Sequence, residues 1–260
     1  MPKVRLIARL DIKSPNLIKG INLEGVRVVG DPQSFATSYY RNGVDEIIYM
    51  DAVASLYGRN NLSEVVSRTS ENIFVPLTVG GGIRSLEDVD KLMASGADKV
   101  SLNSAAIKNP KLISQISTKY GSQAVVLSIE AKRKYSPDTW EAYVDNGREK
   151  TGLSVFEWLE RAVPLGVGEL LVTSVDQEGT QKGFDIELMK LISERVSIPV
   201  IASGGMGCLE HAKDVILKGN VDAIAIAHML HYGKLQLAEL RSFLTNNNIE
   251  VVDHASSASL

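Results

Sequence analysis

The sequence predicts a closed parallel (β/α)8 barrel, a TIM barrel made of two fused half-barrels in one domain over residues 1–252. Three observations lead there. Eight apolar runs of strand length, at 4–10, 45–50, 74–79, 98–102, 123–129, 169–174, 198–202 and 221–227, mostly alternate with amphipathic stretches of helical length. The halves also repeat, because "VPLTVGGGI" (75–83) returns as "IPVIASGGM" (198–206) at an offset of 123 residues. Carboxylates close matching runs as well: Asp11 and Glu130 lie 119 residues apart, and Asp51 and Asp176 lie 125 apart. Generic strand-helix rhythm gives no reason for such equal offsets. The competing architecture, an open doubly wound sheet, would carry a Gly-rich fingerprint after its first strand, and "DIKSPN" is not one.

The first run, "RLIARLDIK", is aliphatic and β-branched, as a parallel strand buried on both faces must be, and it delivers Asp11 to the end of the sheet. Residues 13–31 break the rhythm. They mix Gly20, Gly25 and Gly30 with Leu17, Ile18, Ile21, Leu23 and Val26, which reads as an extended lid loop over the upper face. "SLEDVDKLMASGA" (85–97) opens with a Ser-x-x-Asp cap, stops at Gly96 and puts Leu86, Val89 and Leu92 on one helical face. The fifth run ends in Glu130. After it, residues 134–151 alternate like a hairpin around an Asp-Asn-Gly turn. "FDIELMKLISERV" (184–196) and "CLEHAKDVILKGN" (208–220) repeat the helical style, and the small polar tail 253–260 is expected to be disordered.

Composition narrows the function classes. A chain of 260 residues with 44% apolar content can bury one large core. A net charge of −3 gives no general attraction to nucleic acid or to an anionic membrane, and neither is expected as a partner. No apolar stretch is long enough to cross a bilayer, and "MPKVRLIARLDIK" meets charge too soon for a signal peptide. Cys208 is the single cysteine, so internal disulfides are excluded and a cytoplasmic location is expected. Four scattered histidines beside one cysteine give no metal-ligand spacing; no metal and no cofactor are expected.

Parallel barrels carry their active sites at the strand C-termini. Asp11 and Glu130, on strands four apart, would face each other there as a general acid/base pair. Gly80-Gly81-Gly82 and Gly204-Gly205 follow strands three and seven, where glycine lets backbone amides approach phosphate oxygens. With the neighbouring turns Asn103-Ser104 and Ala227-His228 they would form two phosphate cups on opposite sides, for a ligand phosphorylated at both ends. At the opposite face Arg5, Glu46, Lys99 and Glu169 begin strands one, two, four and six, each in register with inward positions. They could close a ring of alternating charge, although spacing alone favours ordinary strand-end charge.

Taken together these residues resemble the cyclase subunit family of imidazole glycerol phosphate synthase, of histidine and purine metabolism. The matching pieces are "LDIK…KG", "GDP" (30–32), "TVGGGI", "GADKVSLNSAA", "GSQAVV", "AKR", "TSVDQEGT", "GFD" and "IASGGMG", from residue 5 to about 230. The resemblance implies a lyase that takes ammonia and a bisphosphorylated ribulosyl-formimino aminoimidazole-carboxamide ribotide. It would release imidazole glycerol phosphate and aminoimidazole-carboxamide ribotide. It implies Asp11 and Glu130 as catalytic groups and Lys19 in the loop over the substrate. Gly82, Asn103 and Ser104 would hold one phosphate; Gly179, Gly205, Ala227 and His228 would hold the other, and Thr173 joins this binding set. It also makes Arg5, Glu46, Lys99 and Glu169 an ammonia gate at the lower mouth. Asp98 would face a glutaminase subunit of the class I amidotransferase type, docked there as a heterodimer.

Several positions depart from the family. Glu130 and Glu178 stand where aspartate is usual, the lid begins "SPN", and His228 replaces a serine beside the second cup. As an imidazolium, His228 would strengthen that phosphate site; as a bulky ring it would occlude it. Arg9 replaces a small residue and shares a strand face with Arg5, Ile7 and Asp11, which sends it inward unless a strand distortion frees it to solvent. Its expected partner is Glu130 or Asp11, with the longer Glu130 compensating for the guanidinium and losing basicity by the pairing. These departures keep an alternative open. The chain would then be a paralogue that passes ammonia from a glutaminase to a sugar amidotransferase of surface-polysaccharide synthesis, with cyclisation reduced or lost. A non-catalytic activator of a glutaminase and an isomerase on the same barrel are the remaining readings.

Overall fold

In the computed structural model, residues 3–52, 62–135 and 138–252 are described; the tail 253–260, expected to be disordered, lies outside them. Among the described residues twelve strands follow in order: β1 (Arg5–Lys13), β2 (Asn16–Ile21), β3 (Glu24–Gly30), β4 (Glu46–Asp51), β5 (Leu77–Gly80), β6 (Lys99–Leu102), β7 (Val125–Tyr135), β8 (Asp138–Val144), β9 (Glu149–Ser154), β10 (Glu169–Ser174), β11 (Val200–Ser203) and β12 (Ala223–Ile226). Eight of them run parallel in the order β1, β4, β5, β6, β7, β10, β11, β12, and β12 pairs back onto β1 to close the barrel. Each of the eight expected runs holds one barrel strand.

Two insertions decorate the C-terminal mouth, and both correct or extend the sequence reading. The expected lid loop is an antiparallel hairpin: β2 pairs with the end of β1, Asp11 opposite Ile18, and β3 pairs with β2. Its buried Leu17, Ile18 and Leu23 explain why so many apolar residues sit in a segment that reads as a loop. The second hairpin, β8–β9, turns at Asp145-Asn146-Gly147, all three with positive φ, as the Asp-Asn-Gly signal requires. In addition β7 overshoots the barrel and pairs with β8, Glu130 opposite Tyr143.

Short polar signals place the helices. Asp31 of "GDP" caps the helix Pro32–Arg41 by accepting from the Ser34 N–H, with proline in its first turn. Asp185 of "GFD" caps Ile186–Ser193 through the Leu188 N–H, and Ser85 caps Leu86–Ala94 through Asp88. Ser154 and Glu157 form a reciprocal capping box on Val155–Ala162.

The core is divided in two. A large cluster fills the space between strands and helices. A smaller one fills the lumen, with Ile7, Ile48, Val126, Leu171, Ile201, Ala223 and Ala225 among its members. At the N-terminal face three aspartates at strand entrances clamp a neighbouring strand. Asp45 accepts from the Leu6 N–H at 2.5 Å, Asp98 from Leu77 at 2.8 Å and Asp222 from Val200 at 2.9 Å. Asp98 therefore has a structural task of its own, shared with two residues elsewhere around the rim.

Candidate active site

Strand register aligns the inward side chains in layers. The lowest holds Arg5, Glu46, Lys99 and Glu169, which do close a ring. Arg5 donates to Glu46 at 2.6 Å and to Glu169 at 2.5 Å, and Lys99 reaches the same two carboxylates at 3.1 and 2.9 Å. Both glutamates are buried while both cations keep some exposure. Each carboxylate thus has two cationic partners, the arrangement that offsets desolvation best. The burial of Arg5 opposes its charge, but Glu169 and Glu46 hold it firmly protonated.

Above the apolar layer lies Arg9, 3% exposed. Its Nε donates to Asp11 Oδ1 at 3.0 Å, and its Nη1 donates to Thr173 Oγ1 at 2.7 Å and Ser203 Oγ at 3.1 Å. It points inward, as its register predicts, and of the two expected partners it takes Asp11. The expected pairing with Glu130 is not made; that carboxyl acts on Arg9 only through space. Glu130 Oε2 instead accepts from the Gly147 N–H at 2.7 Å, held by the turn of the β8–β9 hairpin. Thr173, fully buried, is occupied with Arg9 inside the lumen and does not line either cup.

The environments of the two acids push them apart. Burial opposes ionisation of Asp11, but Arg9 and then Lys19 outweigh it and hold the carboxyl below its usual range. Burial pushes Glu130 up to about 7, with the Gly147 N–H and Arg9 only partly opposing it. One acid is therefore a carboxylate near neutrality while the other is poised to exchange a proton, the pattern of a working acid/base pair.

Both glycine clusters line cavities at the same mouth, the first of them reaching Glu130. The first cavity, about 150 Å³, is bounded by Gly81, Gly82, Asn103, Ser104, Lys108 and Glu130. At Gly81, φ is +92° and a Cβ would fall 2.4 Å from the Asp51 carbonyl oxygen, so only glycine fits. Ser104 Oγ meets the β8–β9 turn, accepting from the Asp145 N–H at 3.1 Å, and Asn103 donates to the Tyr143 carbonyl. The second cavity, only about 20 Å³, is bounded by Gly179, Gly204, Gly205, Ala227 and His228. His228 does not stand there as a ready imidazolium: burial and then Lys234 and Lys19 lower its pKa. Lys19 is not on a loop but on β2, buried, and paired with Glu178, with Asp11 Oδ2 at 4.0 Å. A wider basin of about 630 Å³ adjoins, bounded by Lys19, Arg27, His228, Tyr232 and Lys234.

Sequence reasoning missed Gly147, which holds Glu130, and Ser203, which holds Arg9. The Asp-Asn-Gly turn is visible in the sequence, but nothing there says that it folds back over strand five. It also missed His231, buried behind Asp11 with Nδ1 2.7 Å from the Tyr39 hydroxyl.

Comparison with known proteins fits this geometry. Residues 5–236 match the family described as "Histidine biosynthesis protein". The chain belongs to this family. It is 64% identical over 210 residues, 81% of this chain and 99% of the relative, to the imidazole glycerol phosphate synthase subunit HisF of Legionella pneumophila. It is 46% identical over 252 residues, 96% of this chain and 98% of the relative, to the HisF subunit of Prochlorococcus marinus (strain NATL1A). A second strain, NATL2A, gives 45% over the same length.

Proposed function

We propose that the chain is the cyclase subunit of imidazole glycerol phosphate synthase, a lyase of histidine biosynthesis. The observation that carries this reading is the placement of two carboxyl groups of opposite protonation tendency on opposite walls of one barrel mouth, where strand-end glycines also line two cavities. A substrate phosphorylated at both ends would lie across the mouth. One phosphate would meet Gly82, Asn103 and Ser104, and the other Gly179, Gly205, Ala227 and His228. Asp11 takes a proton from the attacking nitrogen and Glu130 supplies one to the departing group; ring closure onto the ketone expels its oxygen as water, giving imidazole glycerol phosphate and aminoimidazole-carboxamide ribotide. No cofactor is required for these proton transfers. The ring of Arg5, Glu46, Lys99 and Glu169 sits where ammonia from a glutaminase subunit would enter, and the apolar lumen residues above it would pass the neutral molecule upward. Asp98, at the same face, is exposed enough to meet that subunit while clamping Leu77.

Asp11→Asn and Glu130→Gln test the assignment in an ammonium-dependent assay. Each is expected to cut turnover by about 10²-fold or more, as loss of a general acid or base does. A rate unchanged in both variants would refute it. Arg9 favours a second reading, in which the barrel delivers ammonia to another acceptor and cyclises poorly, because a buried guanidinium stands in the lumen between the gate and Asp11.

A further inference from the structure

Arg9 is buried, charged and held from three strands. The room for it comes from β12, the neighbour of β1, which gives the lumen only Ala223 and Ala225. The guanidinium reaches past these small residues to Thr173 on β10 and Ser203 on β11. Two hydroxyls on different strands fix the position of Nη1, and that leaves Nε directed at Asp11 Oδ1. The other groups facing Asp11 are Lys19 from β2 and His231 from the helix that follows β12. Lys19 is already paired with Glu178, and burial keeps His231 neutral near pH 7. Glu130 is held on the opposite wall by Gly147, and Asp145 of the same turn adds a carboxylate near it.

We propose that Arg9 is a positioning residue that fixes the direction of proton transfer, holding Asp11 as the carboxylate that accepts a proton and leaving Glu130 as the acid that donates one. The inference rests on the cyclase reading and deepens it. Asp11 gains the proton lost by the attacking nitrogen, and Glu130 loses its proton to the departing group. Exchange with solvent then restores both. Without the guanidinium, the cation left beside Asp11 among the described residues is Lys19, which lies farther off and is shared with Glu178, in a dry site that favours protonated carboxyls. Both acids would then be easier to protonate, because Arg9 also acts on Glu130, and Asp11 would no longer be fixed as the proton acceptor.

The test combines a titration that needs no turnover with a rate profile that does. Asp11, 13C-labelled at its side-chain carboxyl and assigned by its loss in Asp11→Asn, is titrated by NMR in the wild type, Arg9→Met and Arg9→Lys. The midpoint of Asp11 is expected to rise by about one to three pH units in Arg9→Met, the range by which an adjacent arginine lowers an aspartate. Arg9→Lys is expected to fall between, since it keeps the charge but loses the hydroxyl anchors. It carries the test if Arg9→Met does not fold by circular dichroism. With free ammonia held constant as pH is varied, the acid limb of turnover is expected to move upward by the same amount in the variants. An unchanged Asp11 midpoint overturns the positioning role, whatever the activity. A wild type that titrates as expected yet turns over no substrate instead overturns the cyclase reading, and the direction of transfer with it.

Discussion

Replacing Glu130 by glutamine should change how stability depends on pH, by an amount that the burial of the site sets. Folded Glu130 titrates at about 7 against an ordinary 4.5. Between those values the folded chain binds a proton that the unfolded chain has released, so Glu130 makes stability fall as pH rises. At about 1.4 kcal/mol per pH unit, the fall across that window is about 3 kcal/mol. His231 works in the opposite sense. Its burial lowers it from 6.5 to about 4, so the unfolded chain binds the extra proton there and stability rises with pH by a similar amount. The two slopes nearly cancel in the wild type. Glu130→Gln keeps an oxygen to accept from Gly147 and removes only the titration. Urea unfolding followed by circular dichroism from pH 4.5 to 7.5 should therefore show a shallow wild-type profile and a rising variant profile. The variant gains about 3 kcal/mol on the wild type over the range. Asp11, held below its usual range, titrates outside this window, and His228 contributes equally to both proteins. A stability difference that stays constant across the range would refute the account of Glu130 as a desolvated acid.

Two further substitutions probe the two ends of the barrel. Lys99→Met leaves Glu46 and Glu169 with Arg5 alone and should cost about 1–3 kcal/mol, below the cost at a sealed site because the rim is partly open; unfolding in urea measures it. The same variant should retain turnover with excess ammonium but lose turnover driven by glutamine and a glutaminase, and equal losses would count against the gate. Gly205→Ala introduces a Cβ 1.9 Å from the Gly183 carbonyl oxygen at φ +107°. It should destabilise the fold by about 1–3 kcal/mol and raise KM for the bisphosphorylated substrate more than it lowers kcat, which steady-state kinetics would read.

Much of this was legible in the sequence because the constraints on it are local or periodic. A strand buried on both faces must be apolar, so eight aliphatic runs show eight barrel strands, and the repeated offsets tie their ends to one mouth. A two-residue period puts Arg5, Glu46, Lys99 and Glu169 at inward positions, but spacing alone favours ordinary strand-end charge, and only closure of the barrel brings the four together. The segment after strand one was misread because a hairpin that buries Leu17, Ile18 and Leu23 at the rim carries the same glycines and apolar residues as a lid. The partner of Arg9 was open between two acids. Thr173 and Ser203 decide it by anchoring the guanidinium beside Asp11, and pairings across 164 and 194 residues leave no local trace. The partner of Glu130 is hidden for a related reason, since the turn that holds it belongs to an insertion whose direction no local pattern fixes.

The most direct measurement is turnover of the bisphosphorylated formimino substrate by this chain alone, with excess ammonium at high pH. The account predicts imidazole glycerol phosphate and aminoimidazole-carboxamide ribotide in equal amounts, with no partner present. Folded protein that forms neither product would contradict it and leave ammonia delivery to another acceptor as the function of the barrel.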